Sequence, residues 1–405
     1  MVHSKAIARK LSTICFFLTL ACCLFPENFL FKYKKGQQYR ITGRIQQQVY
    51  IDDQLAYTGN TLNRVSVKVL NTKEDRGLLS WVFRISEKLE EGAFLFKWRD
   101  ETLKSQFWRD RKGKFGSSGE YLMPVVRDMP LFPDKELKVG DTWSATGAEY
   151  HDFRPWGFEY PAHNTMEVNY IYLRDDVVRD QKVAVLKIYY ISEGNFEKYL
   201  KYNSAAPEKI IGFSDQLLYW NIALGRLEGY EDKFNVRYFY ANGRVQQFRG
   251  TVIAEVTEST PMDKEKMLGE INGYIKDEEI KDVDIEKTSD GVVIRLENIQ
   301  FEPESDLLMP REQEKLKKIA NILKKYPERD LFITGHTALA GTEEGRQQLS
   351  EKRARIAGEF LLSLGVRKAP QITYQGFGAR IPLADNTTEE GMKRNRRVEI
   401  TILEN

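Results

Sequence analysis

Apolar and polar residues alternate with a period of two through residues 39–51. Tyr39, Ile41, Gly43, Ile45, Gln47, Val49 and Ile51 fall on one side, and Arg40, Thr42, Arg44, Gln46 and Gln48 on the other. This predicts a long antiparallel strand with one wet face. Val65, Val67 and Val69, then Trp81, Phe83 and Ile85, then Phe94, Phe96 and Trp98 repeat the rule, and a basic turn region is expected over Arg109–Lys114. Five prolines interrupt residues 121–163 (Pro124, Pro130, Pro133, Pro155, Pro161), which reads as loop leading into a new strand near Trp143. Further strands are expected over 168–173, 183–191 and 234–240. Asn242-Gly243 is a hairpin signal before a return strand with Phe248, Val252, Ala254 and Val256. Residues 30–256 therefore predict a mostly antiparallel β domain, a sandwich or a half-barrel. The polar second face and irregular strand lengths favour a soluble domain over an outer-membrane barrel.

The period changes after a linker expected at 257–263. A helix is expected over 264–275, then strands around Val283 and over 292–296 across the Ser289-Asp290-Gly291 turn. Helix 312–325, strand 331–334, helix 343–364 and strands 371–375 and 397–403 follow. Leu316, Ile319, Ile322 and Leu323 give the first of these helices an apolar face, and Gly365 is placed to cap the second. Alternating strands and helices predict an α/β layer over 264–405, with helices on a mixed sheet.

Composition adds three limits. The chain has 405 residues, which fits more than one domain. A net charge of +2 gives no reason to expect nucleic acid. Lys5, Arg9 and Lys10 precede an uncharged run from Leu11 to Phe25, which predicts a secretory signal over residues 1–25 and export to the periplasm. Cys15, Cys22 and Cys23, the only cysteines, lie inside it. Leu20-Ala21-Cys22-Cys23 resembles a bacterial lipoprotein cleavage site, which would make Cys22 or Cys23 a lipid anchor at the outer membrane. Ordinary secretion and an uncleaved membrane anchor are the other readings.

Four spaced motifs in the last third resemble the OmpA family's peptidoglycan-associating domain. They are Ile299-Gln300-Phe301 with Ser305 and Leu308; Gly335-His336-Thr337 with Gly341, Leu349-Ser350 and Arg353-Ala354; Gly376-Phe377-Gly378 with Pro382; and Asn395-Arg396-Arg397-Val398-Glu399-Ile400. The resemblance implies a pocket for the diaminopimelate side chain of the peptidoglycan stem peptide. An aspartate after Gly-His-Thr would take the ammonium, and the Leu-Ser-x-x-Arg arginine would take the carboxylate through its fork geometry. Here Arg353 is present, but Ala338 stands at the aspartate position, Arg346 where an asparagine is usual, and Ala379 replaces an acid. The candidate pocket residues are Thr337, Ala338, Gly341, Arg346, Arg353, Asn395 and Arg396, with Glu343 and Glu344 as substitute acids.

Enzyme chemistry finds little footing. No P-loop spacing, Gly-x-Ser-x-Gly or His-Glu-x-x-His occurs. His336 fits the resemblance without a metal, and His151 and His163 with Asp152 and Glu159 match no zinc spacing. The expectation is a non-enzymatic envelope protein without cofactor, whose wall binding is weakened or lost at Ala338. Two alternatives stand beside it. The pocket has diverged into a scaffold for protein partners or another anionic group, or the N-terminal β domain holds an apolar ligand or acts as a hydrolase.

Overall fold

The computed structural model describes residues 28–404 except 89–92, 117–119, 259–260, 298 and 300–307. The expected signal with Cys22 and Cys23, part of the expected linker, and Phe301 and Ser305 lie outside the described residues. Among those described, no helix is long and apolar enough to cross a membrane.

The first part is built from long strands: β1 (Gln38–Ile51), β2 (Gln54–Lys73), β3 (Arg76–Lys88), β4 (Phe96–Asp110), β5 (Thr142–His151), β6 (Ala162–Val178), β7 (Gln181–Asn195), β8 (Pro207–Asn221), β9 (Arg226–Tyr240) and β10 (Val245–Glu258). Every pairing among them is antiparallel. The order is β4-β3-β2-β1-β10-β9-β8-β7-β6-β5. This is one continuous sheet and not the two facing sheets of a sandwich. Short turns join most consecutive strands to their sheet neighbours, while β7 and β8 are linked through residues 196–206 and the two sheet ends, β4 and β5, through residues 111–141. Asp52-Asp53 and Arg179-Asp180 adopt the left-handed backbone that such turns require, at φ of 51° and 62° and of 50° and 62°. The Asn242-Gly243 hairpin forms as expected, with Gly243 at φ 81°.

The inward faces meet across the sheet. One buried cluster gathers Val168, Tyr170, Leu186, Ile188 and Trp220, and another Tyr39, Ile41, Val65, Val67, Trp81 and Phe107. Tyr33, Leu227 and Tyr230 touch both, so the sheet curls around one interior. Phe29 and Phe31, ahead of β1, insert there with Phe132 from the proline-rich loop, and the Phe31 ring lies 4.7 Å from Trp220. The interior that an apolar ligand would use is thus filled by the chain's own aromatic rings at this end. Arg109 is not in a turn. It lies buried in β4 with its guanidinium 3.9 Å over the Phe31 ring.

The C-terminal part runs α1 (Lys264–Asp277), β11 (Val283–Lys287), β12 (Gly291–Glu297), α2 (Pro310–Leu323), β13 (Leu331–Gly335), α3 (Glu343–Ser363), β14 (Ile372–Gly376), α4 (Glu389–Asn395) and β15 (Arg397–Leu403). The strand order is β11-β12-β15-β13-β14, with only β13 and β14 parallel. The mixed sheet under helices is as expected. Leu316, Ile319, Ile322 and Leu323 of α2 and Ala354, Ala357 and Leu361 of α3 bury against Ile333, Ile372, Val398 and Ile400. Gly365, at φ 66°, closes α3 through its N–H to Leu362 O at 2.9 Å.

The two parts share a sheet. Phe96 and Lys97 of β4 pair in parallel with Thr373 and Tyr374 of β14. Leu95 enters the C-terminal core, and Trp98 meets Phe332 at 3.9 Å between ring centroids. Asp330, just before β13, receives Arg40 Nη1 and Arg64 Nε, each at 2.8 Å, and its side chain is 4% exposed. The face of β1 that reads as wet in the sequence is therefore partly covered, with Arg40 turned into this contact.

Candidate functional site

β13 is a short apolar strand because both of its faces are covered. At its end the chain must pass close under α3, and two glycines permit this. A Cβ on Gly335 would collide with the Ser350 carbonyl, and one on Gly376 with the Glu351 N–H. Ser350, fully buried, ties the approach together. Its hydroxyl donates to Gln347 O at 2.8 Å and accepts from Gly378 N at 2.8 Å. The loop after β13 is pinned on both sides by His336 N to Arg397 O and Thr337 N to Gly378 O, each 2.9 Å. Gly341 and Gly378 take left-handed backbone, at φ 75° and 54°. Thr342 then caps α3, its Oγ1 accepting from Gly345 N at 3.1 Å.

A cavity of about 390 Å³ opens between this loop, the first turns of α3 and the end of α4. Thr337, Ala338, Gly341, Arg346, Arg353 and Arg396 line it, so six of the seven pocket candidates from the sequence come together. Asn395 does not line it. It is fully buried, with Oδ1 accepting from Leu383 N and Ala384 N and Nδ2 donating to Ala384 O and Asn386 Oδ1. Asn386 Oδ1 also accepts from Leu339 N at 3.0 Å, so Asn395 braces the loop that carries Ala338. Glu343, Glu344 and Ala379 line a neighbouring groove of about 770 Å³ on the other side of Arg346. The substitute acids therefore face away from the Arg353 cavity.

The electrostatics of the cavity are one-sided. Among the described residues, none that lines it is acidic. Burial lowers the pKa of the Arg353 guanidinium, and the nearby Arg396 charge lowers it further. Thr337 is 5% exposed, and its Oγ1 has no hydrogen-bond partner among the described residues.

A model described as the OmpA family matches residues 300–396. The C-terminal part contains an OmpA-family domain. The chain is 34% identical to the probable lipoprotein YiaD of Escherichia coli K12 over 121 residues, which covers 30% of this chain and 55% of that protein. It is 33% identical to outer membrane porin F of Pseudomonas fluorescens over 111 residues, 27% of this chain and 34% of the porin. It is 36% identical to the peptidoglycan-binding protein ArfA of Mycobacterium tuberculosis H37Rv over 104 residues, 26% and 32% of the two chains. The chain thus spans about half or less of the length of these curated relatives. Among solved structures, an outer membrane protein from Borrelia burgdorferi B31 aligns at 36% identity, covering 30% of this chain and 96% of that one, with a TM-score of 0.25.

Beneath the cavity the OmpA-family domain carries a charged network that the sequence pattern did not reveal. Glu399 Oε1 accepts from Arg397 Nε at 2.7 Å and Arg295 Nε at 3.1 Å. Burial opposes its ionisation, but the charge of Arg397 and the hydrogen bonds from Arg397 and Arg295 outweigh that and hold the carboxyl below its usual range. His336, 2% exposed, stacks on Phe377 at 5.6 Å and meets Thr334 Oγ1 at 3.2 Å. Burial, then Arg397, pushes its pKa down to about 3, so the ring stays neutral. The other two sequence-flagged histidines do not meet. His151 points inward beside Glu149, Nε2 to Oε2 3.5 Å, while the half-exposed Tyr150 stacks on His163 at 5.0 Å. Adjacent positions on a strand face opposite ways, which keeps the two imidazoles apart.

Proposed function

We propose that this is a non-enzymatic cell-envelope protein whose OmpA-family domain derives from a peptidoglycan-associating pocket and keeps only its cationic half. The observation that carries this reading is that Arg353 and Ala338 share the wall of one cavity that, among the described residues, no acid lines. A guanidinium in a partly desolvated cavity grips a carboxylate well. The ammonium of a diaminopimelate-like zwitterion meets only Ala338 there. The relatives support the envelope setting, since they are named as a lipoprotein, an outer membrane porin and a peptidoglycan-binding protein. Export through the 1–25 signal, with Cys22 or Cys23 as a lipid anchor, fits the same setting and is read from mass spectrometry of the mature N-terminus.

Wall binding is therefore weak. A charge-assisted contact is worth about 1.5–3 kcal/mol, so its absence reduces affinity for the zwitterion roughly tenfold to a hundredfold. Sedimentation with purified diaminopimelate-type peptidoglycan tests this. Ala338→Asp is expected to raise the apparent affinity over wild type by that factor. Equal binding by the two proteins would remove residue 338 from the account.

A further inference from the structure

We propose that one end of the β-rich part carries a ligand site of its own, a cradle between the β1–β2 turn, the β9–β10 turn and residues 203–206 that binds a neutral sugar ring of a glycan. Its described walls all come from the β-rich part. The inference therefore does not depend on residue 338 or on what the Arg353 cavity holds.

The first argument is that the cradle is built in advance. A cavity of about 300 Å³ lies there, at the lower end of the size range of small-ligand pockets. The two turns are laced together: Asp52 N donates to Val245 O and Val245 N donates to Asp52 Oδ1, each at 2.8 Å. The third wall is held by Asn203, whose Nδ2 donates to Trp156 O and whose Oδ1 accepts from Ala205 N, each at 2.9 Å. A preorganised cradle spares a ligand much of the ordering cost of binding.

The second argument is the mixture of groups on the walls. Tyr240, Ile51 and Val245 supply an apolar side, and Ser204, Arg244 and Gln246 supply hydrogen-bonding groups. A pyranose ring has the same division, a face of C–H groups and a rim of hydroxyls, and its C–H face suits the negative face of an aromatic ring. Tyr240 is held for this. Its hydroxyl donates to Gln246 Oε1 at 3.2 Å, and its ring lies 6.4 Å from that of Trp156. Tyr202, two residues before Ser204, is 82% exposed and meets Phe158 edge-on at 6.3 Å, so a further ring is offered to the next sugar of a chain.

The third argument is charge. Arg244 Nε faces Asp52 Oδ2 at 3.8 Å, so the guanidinium charge is matched at the site itself. An anion gains little there, whereas the planar N–H groups still donate to hydroxyl or acetamido oxygens.

The test is calorimetric titration of the full chain with triacetylchitotriose and maltotriose, neutral trimers of N-acetylglucosamine and of glucose. At least one trimer is expected to bind, and Arg244→Ala and Tyr240→Ala are each expected to weaken it roughly tenfold. Tyr240→Phe keeps the ring and is expected to stay within about threefold of wild type. The Arg244 side chain is 58% exposed, so its removal leaves the fold intact and decides the matter should Tyr240→Ala fail to fold. Binding of neither trimer by wild type, or undiminished binding in either folded alanine variant, would overturn the inference. Pull-down on immobilised wall glycan strands stripped of their stem peptides separates the sources. Arg244-dependent capture identifies the wall glycan, and trimer binding without capture identifies another surface or soluble glycan. The stripped strands carry no diaminopimelate, so this arm is blind to the Arg353 cavity.

Discussion

Asp330→Ala is expected to destabilise the protein by about 3–5 kcal/mol, the usual cost of removing one partner from a buried ion pair. The carboxylate is 4% exposed and holds Arg40 and Arg64 from the β-rich part at 2.8 Å each. Arg64 is itself buried, which lowers its guanidinium pKa, and the Asp330 charge works against that shift. Arg64 also reaches Pro370 O and Ser86 Oγ, so its position is fixed from three sides. Removing Asp330 strands two cations in a low-dielectric contact. Equilibrium urea unfolding measures the loss, and amide exchange on β14 should accelerate in parallel. A replacement that removes all three charges, Arg40→Met with Arg64→Leu and Asp330→Leu, should cost much less than the single change. A loss below about 1 kcal/mol in Asp330→Ala would mean that the cluster is screened as a surface pair would be.

The second large effect is on pH. His336 has a folded pKa of about 3 against 6.5 for the free side chain. The unfolded chain therefore takes up this proton first as the pH falls. The stability tied to a neutral His336 is complete above about pH 6.5 and is lost at about 1.4 kcal/mol per pH unit below it. At pH 4.5 the loss is about 2.7 kcal/mol. The ring faces Thr334, Phe377, Glu399, Arg397 and Arg295. Glu399, whose folded pKa is also depressed, adds to the acid loss below the ordinary carboxylate range. Asp232 in the β-rich part runs the other way. Burial pushes it up to about 6, so its contribution falls as pH rises from about 3.8 to 6. The clean readout is therefore the difference between wild type and His336→Phe. That difference should shrink steadily between pH 6.5 and 4, and a flat difference would exclude a buried neutral imidazole.

The strands with regular alternation were legible because burial of one face writes itself into every second residue, as in Tyr39–Val49. β8 was not, since its inward positions include Gly212, Ser214 and Gln216, which blur the period. α4 was missed for a different reason. It has seven residues, too few for a periodic face, and depends on Thr388 accepting from Gly391 N at 3.0 Å. In the candidate site, residues close to a motif glycine were legible, since backbone approach limits what stands there. The role of Asn395 was not, because it acts through Asn386 and Leu339, distant in sequence. Arg40 and Arg64 looked like ordinary wet-face residues. Only the fold reveals that their counter-charge, Asp330, lies far along the chain in the C-terminal part.

The β4–β14 pairing has a practical consequence for handling the protein in pieces. An OmpA-family fragment beginning at residue 264 would lose Leu95, Phe96 and Trp98, leaving the backbone groups of Thr373 and Tyr374 unpaired along a bare edge. Beside that edge the Leu95 cleft against Gly358 would stand open. Unprotected edges recruit other strands, so such a fragment would self-associate at concentrations where the whole chain stays dispersed. Its oligomers would report the cut, not the biology.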